Sequence, residues 1–88
     1  MTKSGIIAAI NAIVSKYSAW RIGLTHDLTE RKAHWRDTEG LDIKYWKDWQ
    51  ADSLSDAQDI ESQFINKGMD GGTGGDLSAK KTVYVYIF

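Results

Sequence analysis

The chain has no cysteine, which excludes a disulfide framework and any thiolate metal site, and with them the chemistry of zinc ribbons and thiol redox enzymes. The expected compartment is a reducing cytoplasm. Net charge is equally scarce: 11 basic residues stand against 12 acidic ones, leaving −1. No overall field therefore draws the protein to DNA or to anionic lipid, and a nucleic-acid contact would have to rest on a local patch. No apolar run approaches the roughly 20 residues of a membrane span, nothing resembles a signal peptide, and no internal repeat is visible, so no membrane partner is expected. What remains is 88 residues, read as a single domain spanning 1–88 and near the lower size at which a chain folds without a staple. Four Trp, four Tyr and two Phe are expected to supply much of the core, because each aromatic side chain buries roughly 150–250 Å².

The apolar spacing predicts the order helix, strand, helix, strand, helix, strand. Residues 4–17 place Ile6, Ile7, Ile10, Ile13, Val14 and Tyr17 on one stripe of an N-terminal helix, with Thr2 or Ser4 as its cap. Its two lysines, Lys3 and Lys16, are too few for the basic face of a membrane-surface helix. Residues 18–24 read as a short strand turning at Gly23. Asp27 followed by Glu30 has capping-box spacing, so a second helix should run from Leu28 to about Asp37, with Leu28 and Trp35 toward the core. Residues 41–49 alternate as a half-buried strand whose lysines suit a sheet edge. A third helix begins at Ser53 or Ser55, buries Ala57, Ile60, Phe64 and Ile65, and stops at Lys67-Gly68. Residues 68–79 hold five of the eight glycines, read as a mobile or tightly turned loop. A Walker-type phosphate loop would need Gly directly before Lys, and here Ala79 precedes Lys80. The closing VYVYIF is apolar or aromatic on both faces and should be the central strand. The expected fold class is α/β (α+β): a small, mainly antiparallel three-stranded sheet flanked by three helices.

The polar residues that could act together are Arg31, His34, Glu61 and one or more tyrosines. Phosphodiester cleavage needs a cation at the phosphate, a carboxylate for a divalent metal and a group that handles the proton of the attacking water. Arginine offers a bidentate clamp for phosphate oxygens. A single helix-edge carboxylate suffices for a Mg²⁺ that keeps most of its waters, and Tyr or His can pass the proton. Each residue also has a plain reading. Arg31 and His34 suit a solvated helix face, Glu61 could pair with Arg31 or Lys32, and the tyrosines could be core with bonded hydroxyls. Trp46 and Trp49 could stack bases or pack at an edge.

On these residues the chain resembles the GIY-YIG endonuclease domain. That family's core is a strand ending in an aliphatic residue and Gly, then Leu-x-x-Arg-x-x-His on a helix, matched here by Ile22-Gly23-Leu24-Thr25 and by Leu28, Arg31 and His34. The family's later helix carries Ala-x-x-x-Glu-x-x-x-Ile, matched by Ala57, Glu61 and Ile65. The similarity covers about residues 20–66, within a core of 18–88 to which the helix at 4–17 is an addition. Two features depart from the pattern. Arg21 stands where the second signature tyrosine is expected, and a helix stands where the first signature strand should precede residue 20. The resemblance implies that VYVYIF is that strand, displaced to the end as in a circular permutation, with Tyr84 or Tyr86 as the first tyrosine. It further implies Arg31 at the phosphate, Glu61 on Mg²⁺ or Mn²⁺, the tyrosine with His34 activating water or steadying the leaving group, and Arg21, Lys32 and Trp35 along the nucleic acid. Cleavage of DNA is then the expected activity, with a protein partner or homodimer supplying specificity. The alternative is a degenerate relative that retains the scaffold as a binding module.

Overall fold

The sheet is built around the last strand of the sequence. In the computed structural model, which describes residues 1–71, 77 and 82–88, the elements are α1 (Lys3–Ile13), β1 (Arg21–Thr25), α2 (Leu28–Ala33), β2 (Lys47–Ala51), α3 (Leu54–Asn66), β3 (Asp70–Gly71) and β4 (Val83–Ile87). The strand order is β2-β4-β1-β3, so β4 lies inside, antiparallel to both long neighbours. β3 adds parallel to β1 through Arg21↔Asp70 and Ile22↔Gly71. The fold is thus α+β, a small sheet flanked by helices, with four strands among the described residues where three were expected. Two residues of ladder are too short to leave an alternating pattern, which is why β3 is not visible in the sequence. Most of the glycine-rich stretch, residues 72–76 and 78–79, lies outside the described residues, and the loop expectation there with it.

Period-two alternation sorts the strands' side chains. Ile22, Leu24, Ala51, Val83, Val85 and Ile87 point to one face, which α1 and α3 cover with Ile6, Ile10, Val14, Ala57, Ile60 and Phe64. Ile6, Ile10, Ile60, Phe64 and Val85 are wholly buried, each worth about 1.5–3 kcal/mol of transfer energy. Arg21, Gly23, Thr25, Tyr84, Tyr86 and Phe88 point to the other face. There the cover is aromatic: Trp46 stacks on Tyr86 with centroids 4.5 Å apart and on Phe88 at 5.3 Å, and Trp35 leans on Phe88 at 5.4 Å. The Cα radius of gyration, 12.0 Å, is about that of a close-packed chain of this length.

Several boundaries differ from the sequence expectation. The first helix covers Lys3–Ile13 rather than 4–17, because Val14 turns to an extended conformation and Tyr17–Ala19 forms a separate 3₁₀ turn. Strand 18–24 is Arg21–Thr25. The second strand is Lys47–Ala51 rather than 41–49, with Leu41 and Tyr45 exposed. The alternation read across residues 41–45 belongs to a loop, whereas the register that matters sets Trp49 opposite Val85. The helix expected to run to Asp37 keeps α-helical geometry only to Ala33 and widens into a π-helical turn over His34–Thr38. Ile65, expected in the buried stripe, is exposed and leans against Gly71, where an added Cβ would overlap its side chain. No helix among the described residues is long and apolar enough to cross a membrane.

The caps are local and were expected. Thr2 accepts the Gly5 amide of α1, Asp27 accepts the Glu30 amide of α2, and Ser53 accepts the Asp56 amide of α3. α3 closes on Gly68 at φ +119°, a left-handed conformation that glycine adopts without strain.

Candidate active site around Tyr86

The site forms where β4 crosses β1. Antiparallel register puts Tyr86 directly opposite Gly23, and the phenol lies across that glycine: a Cβ there would overlap the Tyr86 hydroxyl and ring. Gly23 is therefore required for close approach, since any side chain would occupy the space of the phenol. Pairing of β1 with β3 stops at Ile22↔Gly71, so among the described residues Gly23–Thr25 has no strand on its outer side.

Three elements bring polar groups to this hydroxyl. α2 starts after the Asp27 cap and carries Arg31, and the π-helical turn that follows it carries Trp35, four residues on. The Trp35 indole Nε1–H donates to the Tyr86 hydroxyl oxygen at 2.9 Å. The Arg31 side chain is half-buried, and its Nε is fully buried with no hydrogen-bond partner among the described residues. α3 brings Glu61 from the opposite face. That helix runs against the direction of β1, since it begins just after Ala51, level with Thr25, and ends beside Ile22. With Ile65 at Gly71, Glu61 lies one turn, about 6 Å, further along the helix, half-buried and with its charge acting on the Tyr86 hydroxyl.

Electrostatics tie these groups together. Burial pushes the Tyr86 hydroxyl above the usual phenol range, the Trp35 hydrogen bond and the charges of Arg31 and Arg21 pull against it, and Glu61 adds to it. The phenol is thus neutral near pH 7 and sits within the fields of two guanidinium groups and a carboxylate. Burial also pushes Glu61 up from the ordinary carboxylate range, the penalty for leaving a carboxylate partly desolvated. Among the described residues it has no ion-pair partner, so the pairing with Arg31 or Lys32 entertained from the sequence is not found.

Other candidates are placed elsewhere. His34 Nε2 lies 3.6 Å from Glu39 and its ring stands edge-on to Trp35 at 5.0 Å. Its described partners do not include Arg31, Glu61 or Tyr86, because the wide turn that begins at His34 alters its direction from that of a straight α-helix. Tyr84 is half-buried on the Tyr86 face, one pleat along, opposite Thr25 and Gln50. Lys32 lies over Trp46 at 5.5 Å and 4.0 Å from Asp48. The Arg21 guanidinium lies over Trp35 at 4.8 Å and 3.8 Å from Asp70. Trp46 stacks on the sheet and donates its indole N–H to Asp48 at 2.8 Å, and Trp49 packs against the core. Both tryptophans are therefore packing residues.

Sequence reasoning did not anticipate Trp35 as a hydrogen-bond partner of Tyr86 or Trp46 as the cover of its ring. Spacing offered one signal for the first, since Trp35 is four residues beyond Arg31. The second follows from a loop whose path no pattern foretells. Among the described residues there is no group of three His, Asp or Glu side chains poised to hold a metal. Beside the strand start, a cleft of about 240 Å³ is lined by Trp20, Arg21, Leu41, Asp42, Asp70 and Phe88 among others. No family model matches this chain, and comparison with curated proteins and with solved structures likewise yields no match.

Proposed function

We propose that this chain is a GIY-YIG-like, circularly permuted domain that cleaves phosphodiester bonds in DNA with the help of a divalent cation. The observation that carries this reading is the Tyr86 hydroxyl lying across Gly23 within the fields of Arg31 and Glu61. On this reading the three parts that phosphodiester cleavage requires, a phosphate clamp, a metal carboxylate and a proton-handling hydroxyl, come from Arg31, Glu61 and Tyr86, 25 to 55 positions apart in sequence. The inside position of β4, antiparallel to β1 and spanning Tyr84–Ile87 against Ile22–Thr25, is what a displaced first signature strand would need.

Arg31 binds the non-bridging phosphate oxygens through its guanidinium. Tyr86, held neutral by burial, orients the attacking water or the leaving oxygen through its hydroxyl. Glu61 fits a Mg²⁺ or Mn²⁺ that retains most of its waters, because a half-desolvated carboxylate gains most from a cation beside it. That ion would supply Lewis-acid polarisation of the phosphate. Glu61 would hold that ion near the Tyr86 hydroxyl, on which its charge acts. Arg21, Lys32 and Trp35 line the adjoining face, with Arg21 and Lys32 only loosely tied by ion pairs of 3.8 and 4.0 Å.

A second reading, a non-catalytic binding module on the same scaffold, is favoured by one observation: His34 is engaged by Glu39 rather than turned to Tyr86. Cleavage of supercoiled plasmid and branched DNA with Mg²⁺ or Mn²⁺ separates the two. The nuclease reading expects nicking by the wild type and loss of at least about 100-fold in Glu61→Ala and Arg31→Ala, the scale on which single electrostatic groups act. Folded wild type that leaves both substrates intact would overturn the nuclease reading and favour the binding module.

A further inference from the structure

We propose that Trp35 is a positioning residue: its indole N–H occupies the Tyr86 oxygen from one side and so commits the phenolic proton to an acceptor on the other. In its application to catalysis this rests on the nuclease reading above. The argument is one of donors and acceptors. An indole N–H can only donate, and Arg31 and Arg21 carry no acceptor. At 2.9 Å Trp35 therefore fills an acceptor position of Tyr86, and the phenolic O–H cannot be directed at the indole. Of the charged groups whose fields reach this hydroxyl, Arg31, Glu61 and Arg21, only Glu61 can accept a proton bond. Among the described residues the hydroxyl has no hydrogen-bond partner besides Trp35, so a water or a phosphate oxygen can serve as the acceptor. Tyr86 is thereby prepared as a donor before substrate arrives, without reorganisation at the moment of reaction.

The fold invests in this contact. Trp35 is gripped by the Arg21 guanidinium over its face, by Phe88 at 5.4 Å and by the edge of His34. It sits in the π-helical turn that begins at His34, where the Glu39 amide bonds the His34 carbonyl and the Leu41 amide bonds the Trp35 carbonyl at 2.9 Å. Such widened turns cost regular helix hydrogen bonding and recur at functional sites.

The test has two arms. In the first, exchange of the Trp35 indole N–H with solvent is followed by NMR in the wild type and in Tyr86→Phe, which keeps the ring and removes only the acceptor. Protection in the wild type, lost in the variant, is expected; equal exchange overturns the inference whether or not the chain cleaves DNA. In the second, plasmid nicking is compared among wild type, Trp35→Phe, Tyr86→Phe and the double variant. Trp35→Phe should lower kcat about two- to tenfold, the worth of one hydrogen bond, with KM unchanged, and the double variant should be no slower than Tyr86→Phe alone. Multiplying losses, or a change in KM only, would show that Trp35 does not act through Tyr86. If Trp35→Phe unfolds, benzothienylalanine at position 35 keeps the shape and deletes the N–H. Protected exchange with no cleavage by the wild type leaves the committed proton standing and removes only the nuclease reading.

Discussion

At the scale of single residues, the site depends on two positions whose costs are visible. Gly23 leaves room for the Tyr86 phenol. Gly23→Ala should force the ring away at a cost of about 1–3 kcal/mol, the usual range for overpacking a tight contact, measured by urea unfolding, and should remove Tyr86 from Arg31. Glu61 is the opposite case, a residue whose wild-type form costs stability. Its folded pKa lies above the unfolded one because of burial, so in the window between them the native state holds more protons, and stability falls as pH rises through that range. Glu61→Gln should therefore melt higher than wild type at pH 7, with the difference vanishing once the pH falls below the ordinary carboxylate range. Added Mg²⁺ or Mn²⁺ should raise the wild-type melting temperature and leave Glu61→Gln unmoved, as expected for an ion bound only by the native state. Equal melting of the two proteins at neutral pH would show that Glu61 is not desolvated.

At the scale of elements, α3 links core and site. Its buried stripe of Ala57, Ile60 and Phe64 is set against the sheet, and the same rotation leaves Glu61, next to Ile60, half-buried beside that stripe. The Ser53 hydroxyl begins that helix by accepting the Asp56 amide. Ser53→Ala should cost about 1 kcal/mol in chemical denaturation, without displacing Glu61, since the stripe alone determines the helix's rotation. β4 has the complementary role. Val85 and Ile87 secure one face while Tyr86 is presented on the other, so the tyrosine's position is inherited from the core.

At the scale of the whole molecule, the margin is narrow. A domain of this size retains about 5–15 kcal/mol of net stability, and Ile60, fully buried between α3 and the sheet, should alone account for about 2–5 kcal/mol on truncation to Ala. Because β4 bonds both β1 and β2, a chain ending before Val83 loses the middle of its sheet. Such a chain should show neither cooperative thermal unfolding nor dispersed NMR amide signals. Retention of either would mean that the remaining strands pair without it.

The sequence by itself determined what depends on neighbours within about one turn or one pleat. The helix start at Asp27 could be named, and those at Thr2 and Ser53 narrowed to one of two residues, because a cap is satisfied by an amide two or three residues away. The inner position of VYVYIF could be named because both of its faces are apolar. The partnership of Arg31 and Trp35 on one helix face was likewise contained in their spacing. Only the tertiary structure decided that Tyr86 rather than Tyr84 crosses Gly23. That choice is one of register between strands some sixty residues apart: a shift of two residues would set Tyr84 against Gly23 instead, and a shift of one would turn both tyrosines to the other face. The same holds for the parallel two-residue β3, for the loop that folds Trp46 over Tyr86, and for the widened turn that gives His34 to Glu39. Each is set by packing between distant segments, and local pattern carries no information about it.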